Sequence, residues 1–181
     1  MQADFELDLD SIMDQRGNEN FPVVLRAVPA AFRVHLLAIY GFARLVDDIG
    51  DEYHGDRLAA LDWIESDLER ARNGDAAHPV MARLTLVLHG SDIDERPFLA
   101  LIEANRLDQR KHRYQTQAEL AEYCTLSANP VGRLVLAVFG AATPERIVLS
   151  DAVCTGLQLV EHLQDIGEDY TDKNRVYLPA D

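Results

Sequence analysis

ARLVDDIGDE, residues 43–52, places four acidic side chains in its last six positions, at the end of an apolar stretch. Like charges four apart on a helix cost a few tenths of a kcal/mol each, roughly. The cluster therefore needs either plain solvent or a cation, and a second acidic stripe decides between them. QLVEHLQDIGEDY, residues 158–170, repeats the pattern: Asp47-x-x-x-Asp51 is matched by Asp165-x-x-x-Asp169. Four-residue spacing sets each pair on one helical face. On an ideal wheel Tyr40, Arg44, Asp47 and Asp51 fall within an arc of roughly 60°, and Gln158, His162, Asp165 and Asp169 do the same. Around the first stripe lie Ile39, Phe42, Leu45, Val46 and Ile49; around the second lie Leu157, Leu159, Val160, Leu163 and Ile166. A surface helix has a broad polar face. These wheels predict the reverse, largely buried helices that turn narrow polar stripes towards an internal cavity.

Outward from the stripes, helical periodicity dominates, and no strand-like alternation stands out. The pattern predicts helices from Pro29 to about Asp51, from Asp56 to about Arg72, over 79–89, and from the cap-like Asp94 to near Lys111. Another begins at Thr116 and is interrupted at Pro130. Thr143-Pro144-Glu145 opens the last, a cap followed by proline at the first helical position, continuing to about Tyr170. The connections are short. The expectation is an all-α chain, 1–181, folded as a single helical domain around one core.

Composition narrows the chemistry. Apolar residues make up 48% and charged residues 27%, with a net charge of −14. So acidic a chain is a poor partner for a nucleic-acid backbone. Anionic small molecules stay open if a metal reverses the local sign. Cys124 and Cys154 form no C-x-x-C pair and read as buried thiols. The acidic N-terminus lacks the form of a secretory signal, and the apolar run at 134–142 is too short to span a bilayer. The expectation is a cytoplasmic protein that meets a membrane, if at all, from its inner surface. Arg110-Lys111-His112-Arg113 is the one basic run; it reads as a solvated helix terminus, with diphosphate or an anionic membrane surface as the alternative.

Carboxylates paired on helices suit Mg²⁺, which takes oxygen ligands, keeps waters and bridges to substrate phosphates. The spacing has neither the order of a calcium loop nor the Glu-x-x-His pair of a di-iron bundle. A solvated acidic face is the competing account.

AIYGFARLVDDIGDE (38–52) and GLQLVEHLQDIGEDYTDKNRVYLP (156–179) resemble the two aspartate motifs of the squalene/phytoene synthase family, and the similarity extends from about Glu19 to the end. ENFPV (19–23), LDQRKHRY (107–114) and SANPVGRLVL (127–136) resemble the bacterial branch that converts presqualene diphosphate to hydroxysqualene. The resemblance implies an isoprenoid-synthase-type helical bundle with a central cavity. It also implies ionisation of presqualene diphosphate, rearrangement of the cation and capture by water, with Mg²⁺ (or Mn²⁺) and no nicotinamide. It assigns Asp47, Asp51, Asp165 and Asp169 to the metal, with Asp48 and Glu168 as weaker supports. Arg44 and Arg175 are assigned to diphosphate, with Tyr177 beside Arg175. Tyr40 and Tyr123 match tyrosines near the site of ionisation, and Ser127, Asn129 and Gln158 match cavity positions.

Two departures stand out. Glu161 replaces an asparagine that helps bind metal in much of the family, and is itself a candidate ligand; Gln164 replaces an arginine. Family members also continue well past Pro179, so the resemblance implies a bundle without its C-terminal helices, whose activity as given does not follow. Two other functions fit the same residues: condensation of two prenyl diphosphates, and a non-catalytic assembly subunit that keeps the fold. Enzymes before and after it in a pathway are the expected partners.

Overall fold

The computed structural model describes residues 28–90 and 93–180. The 19–23 segment lies outside the described residues. Among them there are eight helices and no strand, only an isolated parallel bridge between Arg113 and Val176. The chain divides into two compact units, at Asp94 and Glu95.

The first unit holds α1 (Ala30–Asp51), α2 (Arg57–Arg72) and α3 (Pro79–Gly90), each packed on the other two. Asp56 starts α2 by accepting from the Ala59 amide at 3.0 Å, which satisfies one of the donors a helix start leaves orphaned. Gly74 ends it at φ +79°, where the Asp75 amide reaches back to the Arg70 carbonyl. The core is Phe42, Leu45 and Ile49 of α1, Leu61, Ile64 and Leu68 of α2, and Met81 and Leu84 of α3.

A buried carboxylate locks the turn between α2 and α3. Asp67 accepts from Arg70 Nε at 2.8 Å and from the Ala77 and His78 amides at 2.8 and 2.9 Å. Trp63 lies edge-on to the His78 ring, with the Arg70 guanidinium 5.3 Å above it.

The second unit holds α4 (Arg96–Asp108), α5 (Gln117–Ser127), α6 (Asn129–Val138), α7 (Pro144–Gln164) and α8 (Ile166–Thr171). Helices α5, α6 and α7 begin where the sequence places them. Thr116 and Thr143 cap with their hydroxyls, and the chain breaks at Ala128, just before Asn129-Pro130. Gly132 brings α6 against α7 so closely that a Cβ there would meet Ser150 Oγ, with Cys154 Sγ at 2.6 Å.

The structure departs from the sequence reading in several places: Cys154 is only half-buried, α4 ends at Asp108 rather than near Lys111, and two further differences lie at the second motif. The last predicted helix is two: Asp165 sits in the bridge region (φ −97°, ψ 9°), and the axis restarts at Ile166. The wheel around the second stripe is also not core. Leu157, Val160, Leu163 and Ile166 are 59, 51, 56 and 42% exposed. Helices α5 and α6 pack on α7, yet among the described residues this face stays exposed. A wheel assigns residues to faces, but only tertiary contacts decide which face is covered.

Candidate functional site

The first motif closes α1. Ile39, Phe42, Leu45, Val46 and Ile49 are all buried, as the wheel predicts. Asp48 is 1% exposed, and its Oδ1 lies 2.8 Å from Arg44 Nε, one helical turn back. A buried carboxylate is tolerable when paired in this way. Arg44 remains partly exposed and also approaches Glu52, at 3.8 Å. Asp47 is exposed, while Asp51 and Tyr40 are half-buried. Arg57 was not among the sequence candidates. Its guanidinium donates to the carbonyls of Asp51 (2.8 Å) and Tyr53 (2.9 Å), and so satisfies the carboxyl end of the motif helix. The only sequence signal for it is an arginine just past the Asp56 cap.

The second motif spans the α7–α8 break. Asp165 is exposed, Glu161 half-buried and Asp169 6% exposed. Lys173 Nζ stands 3.5 Å from Asp169 Oδ1, and the Arg175 amide donates to the Asp169 carbonyl at 2.8 Å. Arg175 itself is buried.

The chain then folds back on the loop after α4. The Val176 amide donates to the His112 carbonyl at 2.9 Å, and Arg113 donates to both the carbonyl and the side-chain oxygen of Asn174. Asn174 takes a left-handed conformation, φ 53°, which asparagine tolerates better than most residues. The basic run is thus engaged within the protein: Arg113 with Asn174, and Lys111 with Glu119 at 3.0 Å.

Beneath this segment lies an aromatic cluster. Tyr177 stacks on His162 with ring centroids 3.9 Å apart, and Tyr114, Tyr123 and Tyr177 pack within 5.2–5.6 Å of one another. Tyr123 and Tyr177 both donate to one carboxylate, Asp108, at 2.7 and 2.9 Å. Burial drives the Tyr123 and Tyr177 pKa values well up, with Asp108 adding to it, so both phenols keep their protons. Burial, with Lys173 adding to it, takes His162 down to about 4, so its ring is neutral at pH 7. Gln158 Nε2 is 3.4 Å from His162 Nε2.

Asn129 is buried and accepts from Thr155 Oγ1 at 3.0 Å, while half-buried Ser127 donates to the Tyr123 carbonyl at 3.3 Å. Tyr123, Gln158 and Tyr177 are therefore brought together in the second unit, and Arg175 is joined to Asp169. Asp108 and His162 are the members that the sequence did not nominate. Asp108 was nonetheless legible: it falls on the buried stripe of α4 after Leu101, Ala104 and Asn105, where a carboxylate needs a partner.

The aspartates supply oxygen only, the donor type Mg²⁺ prefers. Among the described residues no three acidic, histidine or cysteine side chains gather as a metal cage.

A squalene/phytoene synthase family model matches residues 15–181. The chain belongs to the squalene/phytoene synthase family. It is 38% identical over 181 residues to hydroxysqualene synthase of Zymomonas mobilis subsp. mobilis, covering 97% of this chain and 60% of that one. It is 42% identical over 167 residues to hydroxysqualene synthase of Rhodopseudomonas palustris, covering 91% and 56%. Among solved structures, squalene synthase HpnC from Alicyclobacillus acidocaldarius superposes with a TM-score of 0.84 at 46% identity, over 94% of this chain and 67% of that chain. The all-α expectation thus stands, in the fold of these synthases. The chain spans 56–60% of the length of the curated relatives named here. No helix among the described residues is long and apolar enough to cross a membrane.

Proposed function

We propose that this protein ionises presqualene diphosphate and directs the resulting cation to hydroxysqualene, with Mg²⁺ as the cofactor. One observation carries the reading: Arg44, paired with buried Asp48, shares a helical face with Asp47 and Asp51, on a helix whose opposite side is core. That arrangement groups a guanidinium and two oxygen donors, a set suited to a diphosphate with its metal.

Asp47, Asp51, Asp165 and Asp169 would hold Mg²⁺, with Glu161 as a further oxygen donor and Mn²⁺ as a substitute metal. When bound, the metal neutralises charge growing on the leaving diphosphate. Arg44 and Arg175 are the diphosphate-binding arginines of this reading, since a guanidinium fork suits phosphate oxygens. As the C–O bond breaks, its electron pair leaves with diphosphate. The cyclopropylcarbinyl cation rearranges, water adds to the product cation, and one proton passes to solvent. Tyr40 and Tyr123 offer aromatic faces that favour a nearby cation. Ser127, Asn129, Gln158 and Tyr177 shape the walls; apolar walls delay water until rearrangement is complete.

The test is incubation with presqualene diphosphate, with and without Mg²⁺, of this chain and of a form extended to its relatives' length. Hydroxysqualene formed only with Mg²⁺ is the expected result. Conversion of farnesyl diphosphate to presqualene diphosphate, without hydroxysqualene, would replace the reading with a condensing synthase.

A further inference from the structure

The stretch 108–114 does more than end a helix. Among the described residues, polar ties run from it to the segment after α8. The His112 carbonyl takes the Val176 amide, and Arg113 grips Asn174 from the exposed side. From the buried side, Asp108 Oδ1 accepts from Tyr177 Oη at 2.9 Å, across 69 residues of sequence. Its other oxygen accepts from Tyr123 Oη at 2.7 Å. Two buried donors converge on one group, and a carboxylate accepts from both without presenting a donor of its own. Between these anchors lies Arg175, whose amide is bound to the Asp169 carbonyl.

We propose that Asp108 is a positioning residue for the second aspartate motif. Through Tyr177 its carboxylate fixes the 174–177 segment, and that segment holds Arg175 in register with Asp169. The proposal rests on the functional reading above, in which Arg175 and Asp169 serve the diphosphate. Tyr123, as the second donor, keeps the carboxylate from rotating away from Tyr177. Asparagine at 108 would remove the charge from both bonds and turn an N–H₂ towards one phenol, so both anchors would weaken.

The experiment compares wild type, Asp108→Asn, Tyr177→Phe and the double variant, in the form extended to the relatives' length. It measures Mg²⁺-dependent binding of inorganic pyrophosphate by calorimetry and kcat with presqualene diphosphate, with folding followed by far-ultraviolet circular dichroism. Each single variant should lose about tenfold to a hundredfold in kcat, the scale of a misplaced binding group. Each should also weaken pyrophosphate, with helical content unchanged. The double variant should be no worse than the poorer single one, because both break the same tie.

Additive losses would overturn the proposal. So would a Tyr177→Phe loss that Asp108→Asn does not share, since the Tyr177 hydroxyl would then act on diphosphate directly. Should Asp108→Asn fail to fold, Tyr177→Phe alone decides, and unchanged pyrophosphate binding and kcat would overturn the role. A wild-type protein that neither binds pyrophosphate nor turns over overturns the proposed function, and the positioning role with it. A competent wild type with indifferent variants overturns the positioning role alone.

Discussion

The first unit, which carries the first aspartate motif, should depend on a carboxylate that touches no substrate. Asp67 is fully buried and accepts three hydrogen bonds. In Asp67→Ala the buried His78 amide has no acceptor, a loss of about 2 kcal/mol. The Ala77 amide belongs to an exposed residue and can turn to water, so it adds about 1 kcal/mol or less. The pair with Arg70, whose side chain is 38% exposed, adds a few tenths, roughly. No longer burying a carboxylate returns part of this. The net expectation is about 2–3 kcal/mol. Trp63 is the chain's one tryptophan and borders this turn, so its fluorescence reports on the first unit directly. With a urea dependence of about 2 kcal/mol/M, the midpoint should fall by about 1–1.5 M. Asp67→Asn, which keeps one acceptor oxygen, should lie between. A fall of less than about 0.25 M in Asp67→Ala would refute the reasoning and show that water replaces the carboxylate at little cost.

Three further outcomes follow from the same geometry. Burial lowers the His78 pKa, with Asp67 partly opposing it, so the unfolded chain takes up the proton first. Stability should then fall as pH drops through the unfolded value near 6.5, until folded His78 also charges; His78→Asn should flatten this part of the urea-midpoint profile. Gly132→Ala, which in an open helix would stabilise, should lower the melting temperature because Ser150 and Cys154 must shift, and Gly132→Val should lower it further. Asn174→Gly should melt within a degree or two of wild type, whereas Asn174→Val should lose about 1–2 kcal/mol to its left-handed backbone, together with its bond from Arg113.

Much of the architecture was legible in the sequence because its punctuation is local. Asp56, Thr116 and Thr143 cap helices where expected, and Asn129-Pro130 marks a break. The first aspartate stripe reads correctly for a similar reason: the residues flanking it are core within their own unit. The second stripe reads less well. Gln158, His162, Asp165 and Asp169 share an arc only if the helix continues, and it restarts at Asp165. The apolar side of α7 looked like core but is exposed, since burial depends on what packs there and not on the residue itself. His162, which the wheel placed on the acidic stripe, is a buried, neutral ring stacked on Tyr177. Asp108 lies outside both aspartate motifs, and only its place on the buried stripe of α4 marks it.

In the proposed function the paired aspartates serve a metal-bound diphosphate. Its most direct test is the rate of diphosphate release from presqualene diphosphate, with and without Mg²⁺, by wild type, Asp47→Asn and Asp165→Asn. Both aspartates are exposed, so neither change should disturb folding. Release should require Mg²⁺ and fall by about a hundredfold or more in each variant at an unchanged melting temperature. Release that proceeds equally without Mg²⁺, or in both variants, would contradict it.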